Sequence, residues 1–191
     1  MKIMNTSPLP KSISSIFPNK LAGTLAEVLF LFGIGMLAIA IHAKLRIPMQ
    51  LPGRQGILFL AILVIGRGIS RFPYAGTLIC SGSAALLATS WLGFHEPLMP
   101  LVYILIGMIL DSSSFAFGKA LPYILSMALV CAIAWMCIPL IRLVITLFTG
   151  LQFTSFRYGI AWPVLTHLFF GLAGGLLGAC ILKISSRFIP K

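Results

Sequence analysis

Six apolar stretches, parted by short connectors rich in proline, glycine and single charges, dominate this 191-residue sequence. A helix needs about 20 residues to cross roughly 30 Å of hydrocarbon, and in lipid only helices and closed barrels satisfy every backbone N–H and C=O. The stretches therefore read as membrane spans. Composition points the same way: 59% of residues are hydrophobic and 9% charged, whereas a soluble domain is about half apolar and a quarter charged. A soluble enzyme, a disulfide-stapled secreted domain and a disordered basic tail are excluded together, because each needs polar surface or a cysteine framework that is absent. The expected fold is an all-α membrane protein, a bundle of six transmembrane helices in one domain.

Residues 1–20 hold Pro8, Pro10, Pro18 and several serines and lysines, and read as a flexible basic cytoplasmic leader. The transmembrane domain covers 21–187, and 188–191 form a short cytoplasmic tail. The first span runs from Leu21 or Val28 to Ala43, too long an apolar run for a signal peptide. The second covers Gln55 to Ile69, and the third follows Pro73 and runs to about Leu92. The fourth goes from Leu98 to Phe117, the fifth from Leu121 to Phe148 and the sixth from Ile160 to Ile184.

Basic residues set the orientation. With the N-terminus inside, nine Lys and Arg face the cytoplasm, and five (Lys44, Arg46, Arg54, Arg142 and Arg157) face outward. The net charge of +11 is scattered as single residues, which suits headgroup anchoring and not nucleic acid.

The five outward cations oppose the insertion bias and mark a candidate site. The connector from His42 to Gln55 contributes Arg46, Gln50, Arg54 and Gln55 within a proline-rich segment that reads as a reentrant or capping loop; a solvated loop among lipid phosphates is the alternative. Arg142 and His167 lie on consecutive spans, each roughly 10 Å below the outer helix ends at about 1.5 Å per residue. Ionisable groups at such depth face a cavity or a partner, so the two are expected to converge, with Gln152, Arg157, Tyr158 and Trp162 above them. Outward snorkelling of Arg142 and a carbonyl partner for His167 are the alternatives. Glu96, in a connector, is the one acid on that side, so these cations read as unpaired and a small anion as their partner.

Elsewhere, Asp111 is the one acid deep in a span and is read as pairing with Arg67 or Arg71 at the inner end, while Glu27 is read as reaching water. Gly171 with Gly175, and Gly174 with Gly178, make two small-xxx-small patterns that permit close helix approach. The four cysteines fall inside apolar spans as fillers. No metal-ligand cluster, phosphate loop or nucleophile elbow is visible, and neither a metal nor a cofactor is expected.

A first span ending in Ile47-Pro48, a short second span, a fourth span reading Leu101-Val102-Tyr103-Ile104-Leu105-Ile106-Gly107-Met108-Ile109-Leu110-Asp111, and a sixth span that is His-started and Gly-rich resemble the substrate-binding S components of energy-coupling factor (ECF) vitamin transporters. The resemblance covers Leu21 to Arg187. It implies a multi-pass protein of a bacterial or archaeal plasma membrane, not an enzyme, with both termini cytoplasmic. Such a protein captures a vitamin or precursor at its outer face and associates with a transmembrane coupling subunit and ATPase subunits. Aligned on Ile47-Pro48, the family's small-xxx-small coupling motif falls at Gly33 and Leu37, while Ala22-xxx-Ala26 lies earlier; both pairs are candidate coupling-subunit contacts. Biotin, folate or a thiamine precursor suits the basic and aromatic groups equally. Two other classes stay open: an intramembrane enzyme acting on an anionic lipid, and a structural subunit of a membrane complex.

Overall fold

The structure, a computed structural model, describes residues 19–45, 51–70, 72–89, 91–93, 96–116 and 122–188. Within it each apolar run folds into one helix. Asn19 starts the first: its side chain accepts the Leu21 N–H at 3.0 Å, satisfying one of the donors that a helix leaves open at its N-terminus. Helix α1 then covers Lys20–Lys44, α2 Gly56–Ile69, α3 Ala75–Ala88, α4 Met99–Ala116, α5 Tyr123–Thr149 and α6 Ala161–Phe188, with a 3-10 turn at Thr154–Phe156 before α6. No strand occurs among the described residues.

Boundaries differ from the sequence expectation mainly at two ends. Helix α3 stops at Ala88, short of Leu92, because Thr89 turns the chain: its hydroxyl donates to the Leu86 carbonyl at 2.7 Å and accepts the Trp91 N–H at 3.4 Å. Helix α6 runs past Ile184 to Phe188, since Lys183 to Arg187 contains no breaker. Helix α5 closes on Gly150, whose left-handed φ of 72° returns its N–H to the Thr146 carbonyl.

Small residues set the packing. Helix α1 crosses α3 where Ser83 donates its hydroxyl to the Gly35 carbonyl at 2.7 Å, with Gly82 against the Phe32 carbonyl. The sixth helix uses both of its glycine patterns inside the molecule. A Cβ at Gly175 would lie 2.8 Å from the Ala128 Cα on α5, and one at Gly178 would lie 2.8 Å from the Ala61 carbonyl on α2. These patterns, which named no partner in the sequence, therefore join α6 to α5 and to α2. Helix α2 touches α1, α3, α5 and α6, and its Phe59, Leu60, Leu63 and Val64 are fully buried.

Among the described residues three helices, α1, α5 and α6, are long and apolar enough to cross a membrane. The 14-residue α2 and α3 reach only about 21 Å at 1.5 Å per residue, less than the hydrocarbon thickness. Trp91, Tyr158 and Trp162, near one end of the bundle, and Tyr74, near the other, are exposed.

The end opposite the candidate site is held by buried polar groups. Asp111 pairs with Arg67 Nε at 3.1 Å and accepts the Gly76 and Thr77 N–H groups and the Thr77 hydroxyl, so one carboxylate of α4 caps the start of α3. Of the two arginines expected from the sequence, Arg67 is thus a partner of Asp111, and Arg71 lies outside the described residues. Glu27 corrects the sequence reading: it does not reach water but is 6% exposed, and it accepts the Ser70 hydroxyl at 2.5 Å. The cause is the end of α2, which folds back beside it.

Candidate functional site

Four of the ten residues expected to bind substrate meet around one cavity of about 200 Å³ at the end of the molecule where α1 finishes and α6 begins. Arg54 and Gln55 come from the segment before α2, Arg142 from the last third of α5 and His167 from the second turn of α6. Arg142 and His167 thus border one cavity, while His167 also has the carbonyl partner that the sequence offered as the alternative. Gln152, Arg157, Tyr158 and Trp162 are exposed on the α5–α6 connector and the first turn of α6, outside the cavity lining. Arg46 and Gln50 lie outside the described residues, as does His95.

The segment Leu51 to Gln55 is fastened to the helices. The Gly53 carbonyl accepts the Gly56 N–H at 2.9 Å and the Trp135 indole N–H at 3.0 Å, which uses both of its lone pairs. Gly53 has φ of 80°, and a Cβ there would lie 2.8 Å from the His167 ring, so a glycine is what lets the chain lie against the histidine. Arg54 Nη1 donates to the Leu51 carbonyl at 3.3 Å. His167 is itself oriented, because its Nδ1–H donates to the Pro163 carbonyl at 2.7 Å. That leaves Nε2 as the ring's other hydrogen-bonding atom.

Three ring-bearing lining residues are not among the binding residues expected from the sequence: His42, Tyr103 and Trp135. They form an aromatic wall. His42 lies edge-on to Trp135 at 5.9 Å and to Tyr103 at 6.3 Å, and the Trp135 ring lies 6.1 Å from His167 at 30°. Phe59 backs the wall from the core, 5.0 Å from Tyr103 and 5.7 Å from Trp135. Such edge-to-face and offset rings pack tightly and present a flat apolar surface. His42 had a usable signal, an ionisable side chain in the last turn of a span. Tyr103 and Trp135 had none, since an aromatic residue in an apolar run looks like core.

Arg142 requires a correction. The sequence leaves it unpaired, with Glu96 the one acid on its side, yet both its Nε and Nη2 bind that Glu96 carboxylate, at 3.0 and 2.6 Å. The Phe153 ring lies 5.6 Å from the guanidinium carbon. The pair is partly exposed, at 20% for Arg142 and 40% for Glu96. An unpaired Arg142 therefore cannot be the reason for an anionic ligand.

The site can hold a small flat molecule between an aromatic wall and a polar rim. A cavity of roughly 150 Å³ accommodates benzene, so this one has room for a ligand only modestly larger. Among the described residues no group of three or more His, Cys, Asp or Glu is placed to hold a metal.

On the proposed coupling face, Ala22, Gly33 and Leu37 are exposed and Ala26 half-buried. Their spacing of four, seven and four puts them along one side of α1, opposite the buried Gly23, Glu27, Leu31 and Ala38. A Cβ at Gly33 would meet nothing within 4 Å. No protein-family model, curated protein or solved structure matches this chain.

Proposed function

We propose that this chain is the substrate-capture subunit of an ATP-driven importer of the energy-coupling factor type. In this reading six helices span the membrane, both termini are cytoplasmic and the cavity opens outward. The cavity receives a small micronutrient, a vitamin or vitamin precursor, and the protein binds it without chemical change. A transmembrane coupling subunit and ATPase subunits supply the energy, and the outward side of α1 carrying Ala22, Ala26, Gly33 and Leu37 is the surface offered to the coupling subunit.

The observation that carries the reading is the cavity itself. Arg54, Gln55, Arg142 and His167, chosen as binding residues from the sequence, line it together with an aromatic wall, which is the mixture of apolar surface and few placed polar groups that small-molecule sites use. The polar network at the opposite end supports it too, since it leaves the cavity facing one side.

Purification followed by mass spectrometry of copurified small molecules tests capture, and uptake into vesicles with and without the coupling module tests transport. A bound micronutrient is expected, with uptake only when the module and ATP are present. Gly33→Leu should weaken association with the module while leaving ligand affinity unchanged. Uptake by this chain alone, without ATP, would overturn the proposal, as would turnover of a lipid by the purified protein.

A further inference from the structure

Arg142 is one of two arginines that line this cavity, and its fork is already occupied. A guanidinium has five N–H donors; Glu96 engages the Nε and Nη2 edge in two parallel bonds, and the remaining donors stay available without displacing it. Glu96 is in turn fixed by its backbone, because its carbonyl accepts the Met99 N–H at 3.1 Å at the start of α4. An ion pair as exposed as this one adds little to stability. Its consequence is electrostatic, for the cavity it borders: of the cationic lining residues Arg54 and Arg142, Glu96 offsets one.

We propose that Glu96 is a specificity-determining residue of the cavity: by holding the Arg142 fork it limits the ligand to at most one negative charge and turns the Arg142 wall into a site for an uncharged acceptor, such as a ring carbonyl or an amide oxygen. Phosphorylated and doubly carboxylated compounds are thereby excluded, and a neutral or singly anionic heterocycle fits. The inference rests on the capture reading for its biological use, but the charge selectivity of the cavity does not.

The test uses the purified protein with no substrate or partner. Of the three tryptophans, Trp91 and Trp162 are exposed, whereas Trp135 is 1% exposed and lines the cavity. In a Trp91→Phe, Trp162→Phe protein, fluorescence therefore reports the cavity. Quenching by iodide, an anion, is compared with quenching by neutral acrylamide at constant ionic strength and pH. Glu96→Gln removes one negative charge a few ångströms from the cavity, and with screening between that of protein and water the local iodide concentration should rise roughly three- to five-fold. Acrylamide quenching should stay unchanged. Glu96→Asp, which keeps the charge, should behave as wild type, and adding Arg142→Gln to Glu96→Gln should cancel the gain.

Unchanged iodide quenching in Glu96→Gln would overturn the proposal. An equal rise for both quenchers would also do so, showing Glu96 to be a plug and not a charge filter, and so would a Trp135 that no quencher reaches in any variant. Neither a bound micronutrient nor uptake enters this measurement, so the proposal and the capture reading can fail independently.

Discussion

Replacing Gly53 by alanine asks whether the segment Leu51 to Gln55 is fastened to the helices or only lies over them, and the structure lets the cost be worked out. The left-handed backbone at Gly53, φ 80°, costs an L-residue roughly 1–2 kcal/mol. The new methyl group would lie 2.8 Å from Cγ and Nδ1 of His167, and that ring is held in place by the Pro163 carbonyl and by Trp135. The segment must therefore lift, which stretches the Trp135 to Gly53 hydrogen bond, a loss of about 0.5–1.5 kcal/mol. Together the effects come to about 2–3 kcal/mol. Gly93→Ala is the control, because Gly93 has nearly the same φ, 79°, but nothing within 4 Å of its Cβ, so it carries the backbone cost alone. Unfolding by SDS in mixed micelles, followed by circular dichroism, should rank Gly53→Ala below Gly93→Ala by about 1 kcal/mol. Emission from Trp135 as sole tryptophan should shift to the red only in Gly53→Ala. Equal losses in the two variants, or an unmoved Trp135 emission, would refute the claim that this segment is pinned.

Asp111→Asn should cost about 3 kcal/mol or more in the same unfolding assay, since it takes the carboxylate out of a buried ion pair that also caps α3; a cost under roughly 1 kcal/mol would show a solvated network. For topology, a cysteine at Gln152 in a cysteine-free background should react with an impermeant thiol reagent on intact cells while one at Ser186 stays shielded, and labelling of Ser186 from outside would reverse the proposed orientation.

The helices were legible in one dimension because the signal for a lipid-facing helix is local. Uninterrupted apolar residues make the helix, and Pro, Gly and capping side chains end it, so all six expected starts fall within two residues of the observed ones, taking Leu21 as the start of the first. Part of the site was legible for a related reason. Arg142 and His167 are ionisable groups set far inside apolar runs, and depth along a helix can be counted from sequence, so their common level could be read without knowing how α5 and α6 pack.

What the sequence by itself determined, then, is where each helix lies, which residues are too polar for lipid, and how deep they sit. Which polar group finds which partner was decided only by tertiary structure. Glu96 and Arg142 are 46 residues apart, and Ser70 and Glu27 are 43 apart; no local pattern links them, and the first pairing reverses the charge argument for an unpaired cation. The glycines of α6 announced close approach but not that one pair faces α5 and the other α2. Trp135 and Tyr103 are core residues that also form cavity wall, because they lie at the end of the core that the segment carrying Gly53 packs against. Hydropathy reports the cost of a residue's exposure to lipid; it carries no information on which of many distant apolar or polar surfaces relieves that cost, and that choice is made by the packing of whole helices.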